Sequence, residues 1–536
     1  KTYHKYSEII IRELANHYKN EESIVAWQID NEFGHEGSDL CYCDLCKKEF
    51  NEYLKEKYNN DINKLNETWG TIFWSQTYNT FEEIPLPKPT ITTHNPSLRM
   101  EHERFRSESI EKYAKFQVDL LKEILGKDSV IIHDFSGGYF DKSYDFSKVG
   151  KHMDVVAYNN YPVWGGQKEP IPAWEIACGL DYMRGIKGQN FWITEAIMGA
   201  QGHDVIGYLP RPRQAKMWSY QGIAHGCSSL MYFRYRGATK GAEQYCYGII
   251  DQDNVKRRKF YEVQSFFKEM KENEALTQSE VKSDVAVVYD YESMASFRIQ
   301  RQSFLMDYKQ EVYRLYRPFY KKNINMDVIP SDSDFDKYKV LLLPVMIVHK
   351  KEVQDKVRKF VSGGGTVVFT YRTAVKDYYN NLTLGQFNPT YYTDLVGGYV
   401  EEVESFQDDQ VAFLIGNEEF EGINGTATVF RDMLKTTTAK TLFKYEDEFF
   451  EDLAAVTLNE YEGGKVYYIG SGADNTIMDA ITNKIINESN LDAIESEEGV
   501  EVVRRSLNNE DYYFVMNYTS DEKKFKNEIL KAYESK

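Results

Sequence analysis

The chain has 536 residues and a mass of 62.6 kDa, room for about three or four domains with sizeable cores. Its 65 basic and 83 acidic side chains leave a net charge of −18, with no basic stripe to offset it. That balance argues against nucleic acid or an anionic membrane as a partner and favours a polar small molecule; no stretch approaches the roughly 20 apolar residues of a membrane helix. The chain opens Lys1-Thr2-Tyr3-His4, without an initiator Met or a basic-then-apolar leader, and runs directly into a helix expected over Ser7–Tyr18, as a fragment beginning mid-domain would. Buried strands are expected over Ile24–Ile29, Ser129–Asp134, Asp154–Tyr158, Asn190–Thr194 and Ser228–Phe233. Helices at Leu40–Tyr58, Arg104–Leu125 and Arg213–His225 alternate with them, the pattern of a parallel α/β sheet. A closed (β/α)8 barrel needs eight strands in about 250 residues, so five would be strands 4 to 8; an open doubly wound sheet is the alternative.

After a charged helix, Lys256–Asn273, the polar stretch Thr277–Asp284 reads as a linker. A second α/β unit follows, with strands Val285–Tyr289, Lys339–Pro344 and Thr366–Thr370 and helices near Ser303–Lys322 and Glu352–Val361, like a small flavodoxin-like sheet. Gly363-Gly364-Gly365 precedes a strand instead of linking strand to helix, so it reads as a turn and not a phosphate loop. Strands at Val500–Arg505 and Tyr512–Tyr518 then suggest a small β domain. The expected division is 1–276, the C-terminal part of a catalytic barrel; 284–490, the flavodoxin-like unit; and 495–536, the start of a β domain.

Two strand ends carry acids. Trp27-Gln28-Ile29-Asp30-Asn31-Glu32 and Phe191-Trp192-Ile193-Thr194-Glu195 would present Asn31, Glu32 and Glu195 at the carboxyl ends of parallel strands, the active face of a barrel. A lone strand-end Glu is usually an ion-pair acid. Two on one face, with aromatics nearby, are what glycoside hydrolysis requires: one acid protonates the departing oxygen and the other traps the anomeric carbon. Cys41, Cys43 and Cys46 have thiolate spacing suited to tetrahedral zinc, with one ligand missing; a reduced structural cluster is the alternative. Cys178, Cys227 and Cys246 read as buried or pocket thiols, and His4, His94, His102, His133, His152 and His225 as packing or surface residues. Phe140, Trp69, Trp74 and Trp164 are candidates for a sugar cleft or the core.

The run from Trp27 to Gly34, the Cys41–Phe50 segment, Leu65–Gln76, Tyr161-Pro162-Val163-Trp164-Gly165, Trp218–Gly226, Met231–Arg236 and Gly241–Tyr245 together resemble family 42 glycoside hydrolases, the β-galactosidases of clan A. The resemblance implies a TIM barrel, a flavodoxin-like trimerisation domain and a small C-terminal β domain. It implies that Glu32 is the acid/base and Glu195 the nucleophile of a retaining exo-β-glycosidase, and that Asn31 bonds the sugar 2-hydroxyl. Tyr161, or else Tyr158, would orient the nucleophile, and Phe233 and Glu243 would contact galactose. Where the family usually carries a tryptophan and a tryptophan-histidine pair, this chain has His203 and Cys246-Tyr247, so His203 and Tyr247 would reshape the sugar pocket. β-Glucosides, β-fucosides and α-L-arabinopyranosides stay open as substrates, as does a silent sugar-binding homologue. The resemblance further implies a structural zinc whose fourth ligand, like three barrel strands, lies upstream of Lys1, no organic cofactor, and a homotrimer. Three thiols kept reduced favour the cytoplasm.

Overall fold

The computed structural model describes residues 2–536. Its first half runs α1 (Thr2–Tyr18), β1 (Trp27–Gln28), α2 (Asp44–Lys57), α3 (Ile62–Trp69), α4 (Pro96–Leu125), β2 (Ile131–Phe135), α5 (Phe146–Gly150), β3 (Val155–Asn160), α6 (Ala173–Lys187), β4 (Phe191–Ala196), α7 (Gln214–Ala224), β5 (Cys227–Leu230), α8 (Arg258–Glu272) and α9 (Glu274–Gln278). The five strands pair in sequence order, all parallel, as successive strands of a (β/α)8 barrel do. Each expected strand is found, with shifted ends. Helix α4 starts eight residues before the expected Arg104 because the Asn95 side chain accepts from the backbone of Ser97 and Leu98, with Pro96 at the first helical position. Helix α2 starts at Asp44 instead of Leu40 because Cys43 is its N-cap. Phe50, Leu54, Tyr58, Leu65 and Trp69 form a satellite core beneath the cysteine-rich segment, in which Trp69 Nε1 donates to Tyr58 Oη at 2.8 Å.

The expected linker is partly structured: α9 ends inside it and β6 (Glu280–Val281) pairs antiparallel with β18 (Val500–Leu507) near the C-terminus. The second unit contains β7 (Val285–Tyr289), α10 (Tyr291–Ile299), α11 (Tyr308–Tyr320), β8 (Met326–Pro330), β9 (Val340–Leu343), α12 (Lys351–Ser362) and β10 (Thr366–Thr370). Beyond these lie β11 (Gly398–Ser405), β12 (Ala412–Gly416), β13 (Asn424–Thr436), β14 (Lys440–Tyr445), β15 (Ala454–Tyr461), β16 (Gly464–Ile469) and β17 (Ser471–Ala473). The parallel part is ordered β8-β7-β9-β10-β16, the 2-1-3-4-5 arrangement of a flavodoxin-like sheet. β15 joins it antiparallel and extends it through β14, β12, β13 and β11, an extension absent from the sequence expectation. The glycine triplet is a turn between α12 and β10, as expected.

One continuous core runs from the barrel helices into the second sheet. Helix α6 packs so tightly on β8 that a Cβ on Gly185 would lie 1.8 Å from the Val328 carbonyl oxygen, and only glycine permits that approach. The hairpin of β18 with β19 (Glu510–Asn517) covers α7, and the buried Arg505 guanidinium donates to the carbonyls of Ile223 and Ser279. No helix among the described residues is long and apolar enough to cross a membrane.

Candidate active site

The chain leaves β1 through a turn in which Asp30 and Glu32 both take left-handed backbone angles (φ 51° and 41°). Such conformations cost non-glycine residues energy and persist only where neighbours impose them. Gly34 follows at φ 70°, and a Cβ there would press on the Tyr144 ring at 3.0 Å. The turn projects Asn31, Glu32 and His35 over the carboxyl ends of the strands. At β4, pairing with β3 skips Thr194, so that Tyr158 faces Ile193 and Asn159 faces Glu195. Such a bulge re-aims the side chain that follows it, and Glu195 turns into the same cleft.

The cleft has a volume of about 520 Å³ and is lined by Asn31, Glu32, His35, Tyr161, Trp164, Glu195, His203, Phe233 and Glu243, with Ser38 and Gly137. The Tyr161 hydroxyl donates to Glu195 Oε2 at 2.5 Å. Burial raises the pKa of Glu195, and that hydrogen bond opposes the rise. Tyr158, the alternative orienting residue, is buried instead. Glu32 Oε1 accepts from the Asn159 amide at 2.9 Å, while Oε2 lies 3.8 Å from His35 Nε2. Trp164 meets Tyr161 edge-on at 4.9 Å and His203 at 5.5 Å, forming one aromatic wall. Arg234 pairs with Glu243 and covers the Phe233 ring at 4.2 Å, and His203 Nε2 is 3.8 Å from Glu243 Oε1.

Seven of the eight catalytic and sugar-binding residues expected from the sequence thus share one cleft. Tyr247 stands apart from that lining: its carbonyl accepts from Gln201 Nε2 at 3.0 Å and its ring lies beneath Lys259. Phe140 belongs to the core, stacked on Tyr289 at 4.9 Å. His35, Asp134 and Asn159 escaped the sequence reading. His35 could have been found from its spacing three residues after Glu32; Asp134 and Asn159 lie inside apolar runs and carry no such signal. His133 and His225 are more than packing residues: His133 bonds the Phe33 amide, and His225 sits between two buried carboxylates.

The sulfurs of Cys41, Cys43 and Cys46 lie within 4.8 Å of one another. Four thiolates around zinc at about 2.3 Å stand about 3.8 Å apart, so the three can hold a metal ion. The Cys46 backbone N–H helps pull the Cys43 thiol down to about 7, while burial pushes Cys46 up to about 12.

Two carboxylates at the carboxyl face of a parallel barrel, over a cleft walled by aromatic rings, define a glycoside hydrolase. Family models described as beta-galactosidase, beta-galactosidase trimerisation domain and beta-galactosidase C-terminal domain match residues 1–273, 283–492 and 499–533. A beta-galactosidase of Heyndrickxia coagulans is 31% identical over 523 residues, which are 97% of this chain and 76% of that protein. One from Clostridium cellulovorans is 30% identical over 494 residues, 91% of this chain and 72% of that protein. The crystal structure of a beta-galactosidase from Bacillus circulans sp. alkalophilus superposes with a TM-score of 0.92 at 28% identity, covering 100% of this chain and 81% of that one. The chain belongs to glycoside hydrolase family 42.

Proposed function

We propose that the protein is a retaining exo-β-galactosidase with Glu195 as nucleophile and Glu32 as acid/base. The observation that carries this reading is the unequal dressing of two carboxylates in one cleft. Glu195 is bonded by a tyrosine hydroxyl that favours its ionised form, as a nucleophile needs. Glu32 has one oxygen held by an amide and the other turned to the cleft, as a proton donor needs. In the first step Glu195 bonds the anomeric carbon while Glu32 protonates the departing oxygen; in the second Glu32 takes a proton from water, which displaces Glu195 with net retention. Asn31 lines the same cleft, available to bond a ring hydroxyl, and Trp164 and Phe233 offer apolar faces to the sugar.

A second reading, a related β-glycosidase or α-L-arabinopyranosidase, is favoured by one observation: Arg234 and His203 both face Glu243, so the acid that would grip the sugar hydroxyls already has partners. Residues 1–276 would then be barrel, 284–490 trimerisation domain and 495–536 β domain. Zinc on Cys41, Cys43 and Cys46 would pin the start of α2 as a structural ion, and reduced thiols suit a reducing compartment. Assembly as a homotrimer is supported by the match to the trimerisation domain.

The test is hydrolysis of a panel of chromogenic glycosides by the wild type and by Glu195→Gln. Galactoside turnover above all others, reduced more than about 1,000-fold in the variant, is the expected result; sugar binding without turnover of any glycoside would contradict it.

A further inference from the structure

The acid/base carboxyl sits on a strained turn, and two buried side chains from neighbouring strands hold that turn. We propose that Asp134 is a positioning residue for the acid/base: together with Asn159 it fixes the Glu32 turn and makes Oε2 the oxygen that delivers the proton. The inference rests on the reading of Glu32 as acid/base.

Asp134, on β2, is only 1% exposed and sits beneath the turn. Its Oδ1 accepts from the backbone N–H of Glu32 at 3.2 Å, and its Oδ2 accepts from Asn159 Nδ2 at 3.1 Å. Asn159, on β3 and fully buried, spends its two N–H bonds on two carboxyl groups, Asp134 Oδ2 and Glu32 Oε1. Its own oxygen accepts from Thr194 Oγ1 at 3.0 Å, the residue before the nucleophile, and a flip of the amide would set its oxygen against both carboxyl groups and lose both of those bonds. The next N–H of the turn, that of Phe33, donates to His133 Nε2 at 3.2 Å. Burial pushes His133 down to about 4, leaving it neutral; Nδ1 carries the hydrogen toward the Ile29 carbonyl at 2.9 Å and Nε2 is free to accept. Side chains of β2 therefore hold two consecutive amides of a turn whose Glu32 φ is 41°, and a β3 amide holds the carboxyl itself.

With Oε1 engaged as an acceptor, the acid hydrogen resides on Oε2, which faces the cleft and His35. That hydrogen passes to the glycosidic oxygen as its bond to the anomeric carbon breaks; the bonding pair leaves with the aglycone while Glu195 forms the new bond to carbon. Burial pushes Asp134 up to about 7, and the bonds from Glu32 N–H and the Asn159 amide pull the other way. Replacing Asp134 by Asn would set one NH2 group against another and free Asn159 to turn from Glu32.

The test compares wild type, Asp134→Asn and Glu32→Gln on two galactosides, one with an alkyl leaving group that needs protonation and a dinitrophenyl galactoside that does not. Asp134→Asn is expected to lower kcat/KM for the alkyl substrate about 100-fold and for the dinitrophenyl substrate less than about 5-fold, with kcat carrying the loss. An equal loss on both, or none on either, while Glu32→Gln shows the leaving-group dependence, would overturn the positioning role and leave the acid/base reading intact. Absence of any leaving-group dependence in Glu32→Gln would overturn both. Should Asp134→Asn fail to fold, the double variant Asp134→Asn with Asn159→Asp restores the 134–159 bond with donor and acceptor exchanged. The amide at position 134 can still accept from the Glu32 N–H, but the carboxylate at position 159 can no longer donate to Oε1, so kcat/KM should fall for the alkyl substrate and far less for the dinitrophenyl one; an equal loss on both, or none on either, would overturn the proposal.

Discussion

Tyr161 and Glu195 show how one hydroxyl sets the working range of the nucleophile. Burial raises the pKa of Glu195, and the Tyr161 hydrogen bond counters that rise. Tyr161→Phe removes the donor, so the pKa of Glu195 rises and the acidic limb of kcat/KM should move to higher pH. The loss at the optimum should be about 10- to 100-fold, the worth of a hydrogen bond to a charged group. A pH profile of the variant checks this, and an unmoved acidic limb would refute it. Both acids were legible in the sequence because each follows an apolar run and precedes a break, whereas Tyr161 was legible only through the family resemblance of the segment Tyr161-Pro162-Val163-Trp164-Gly165. Asp134 and Asn159 were not, because a polar residue within a buried strand gains its meaning from the strand beside it, and register is not written in a single segment. The same limit applies to Tyr247, whose carbonyl accepts from Gln201 while its ring lies against Lys259.

Elements read well where periodicity or composition marks them and poorly where tertiary pairing decides. β8 was missed because Asp327 interrupts its apolar run; inside the fold that acid accepts from Arg184 Nη2 at 2.8 Å and from the Tyr338 hydroxyl at 2.7 Å. The linker concealed β6, whose partner lies in the C-terminal hairpin. That hairpin is fastened to the barrel by His225, at the end of α7. Its Nδ1 lies 2.7 Å from Asp181 on α6 and its Nε2 2.8 Å from Glu501 on β18. Around them Arg184 and Tyr316 bond Asp181, and Tyr518 and Gln221 bond Glu501. Burial works to lower the pKa of His225, and the two carboxylates outweigh it, raising it from 6.5 to about 9. A pKa raised on folding gives stability that is full below the unfolded value and lost as pH climbs through the folded one. Thermal unfolding should therefore show about 3 kcal/mol disappearing between pH 6.5 and 9. His225→Gln should be less stable near pH 6 and lack that decline; an equal decline in the variant would contradict the reading.

Across the whole molecule, three units share one polar and apolar framework. The continuous core, the α6–β8 contact and the His225 cluster tie the barrel to the second sheet and the C-terminal hairpin, and the Glu32 turn is itself built from three barrel strands. The parallel half of the second sheet was readable from its alternating strands and helices. Its antiparallel extension was not, because β11 has a largely exposed pattern and β13 a bulged one, and neither repeats with a clean period. Attack of Glu195 on the anomeric carbon of a galactoside can be observed by trapping. Incubation with an activated 2-deoxy-2-fluoro-β-galactoside, whose fluorine slows breakdown of the covalent intermediate, is followed by peptide mass spectrometry. One fluorogalactosyl group on the peptide carrying Glu195, together with loss of activity, is expected; labelling at another carboxylate, or inactivation without a label, would contradict that role for Glu195.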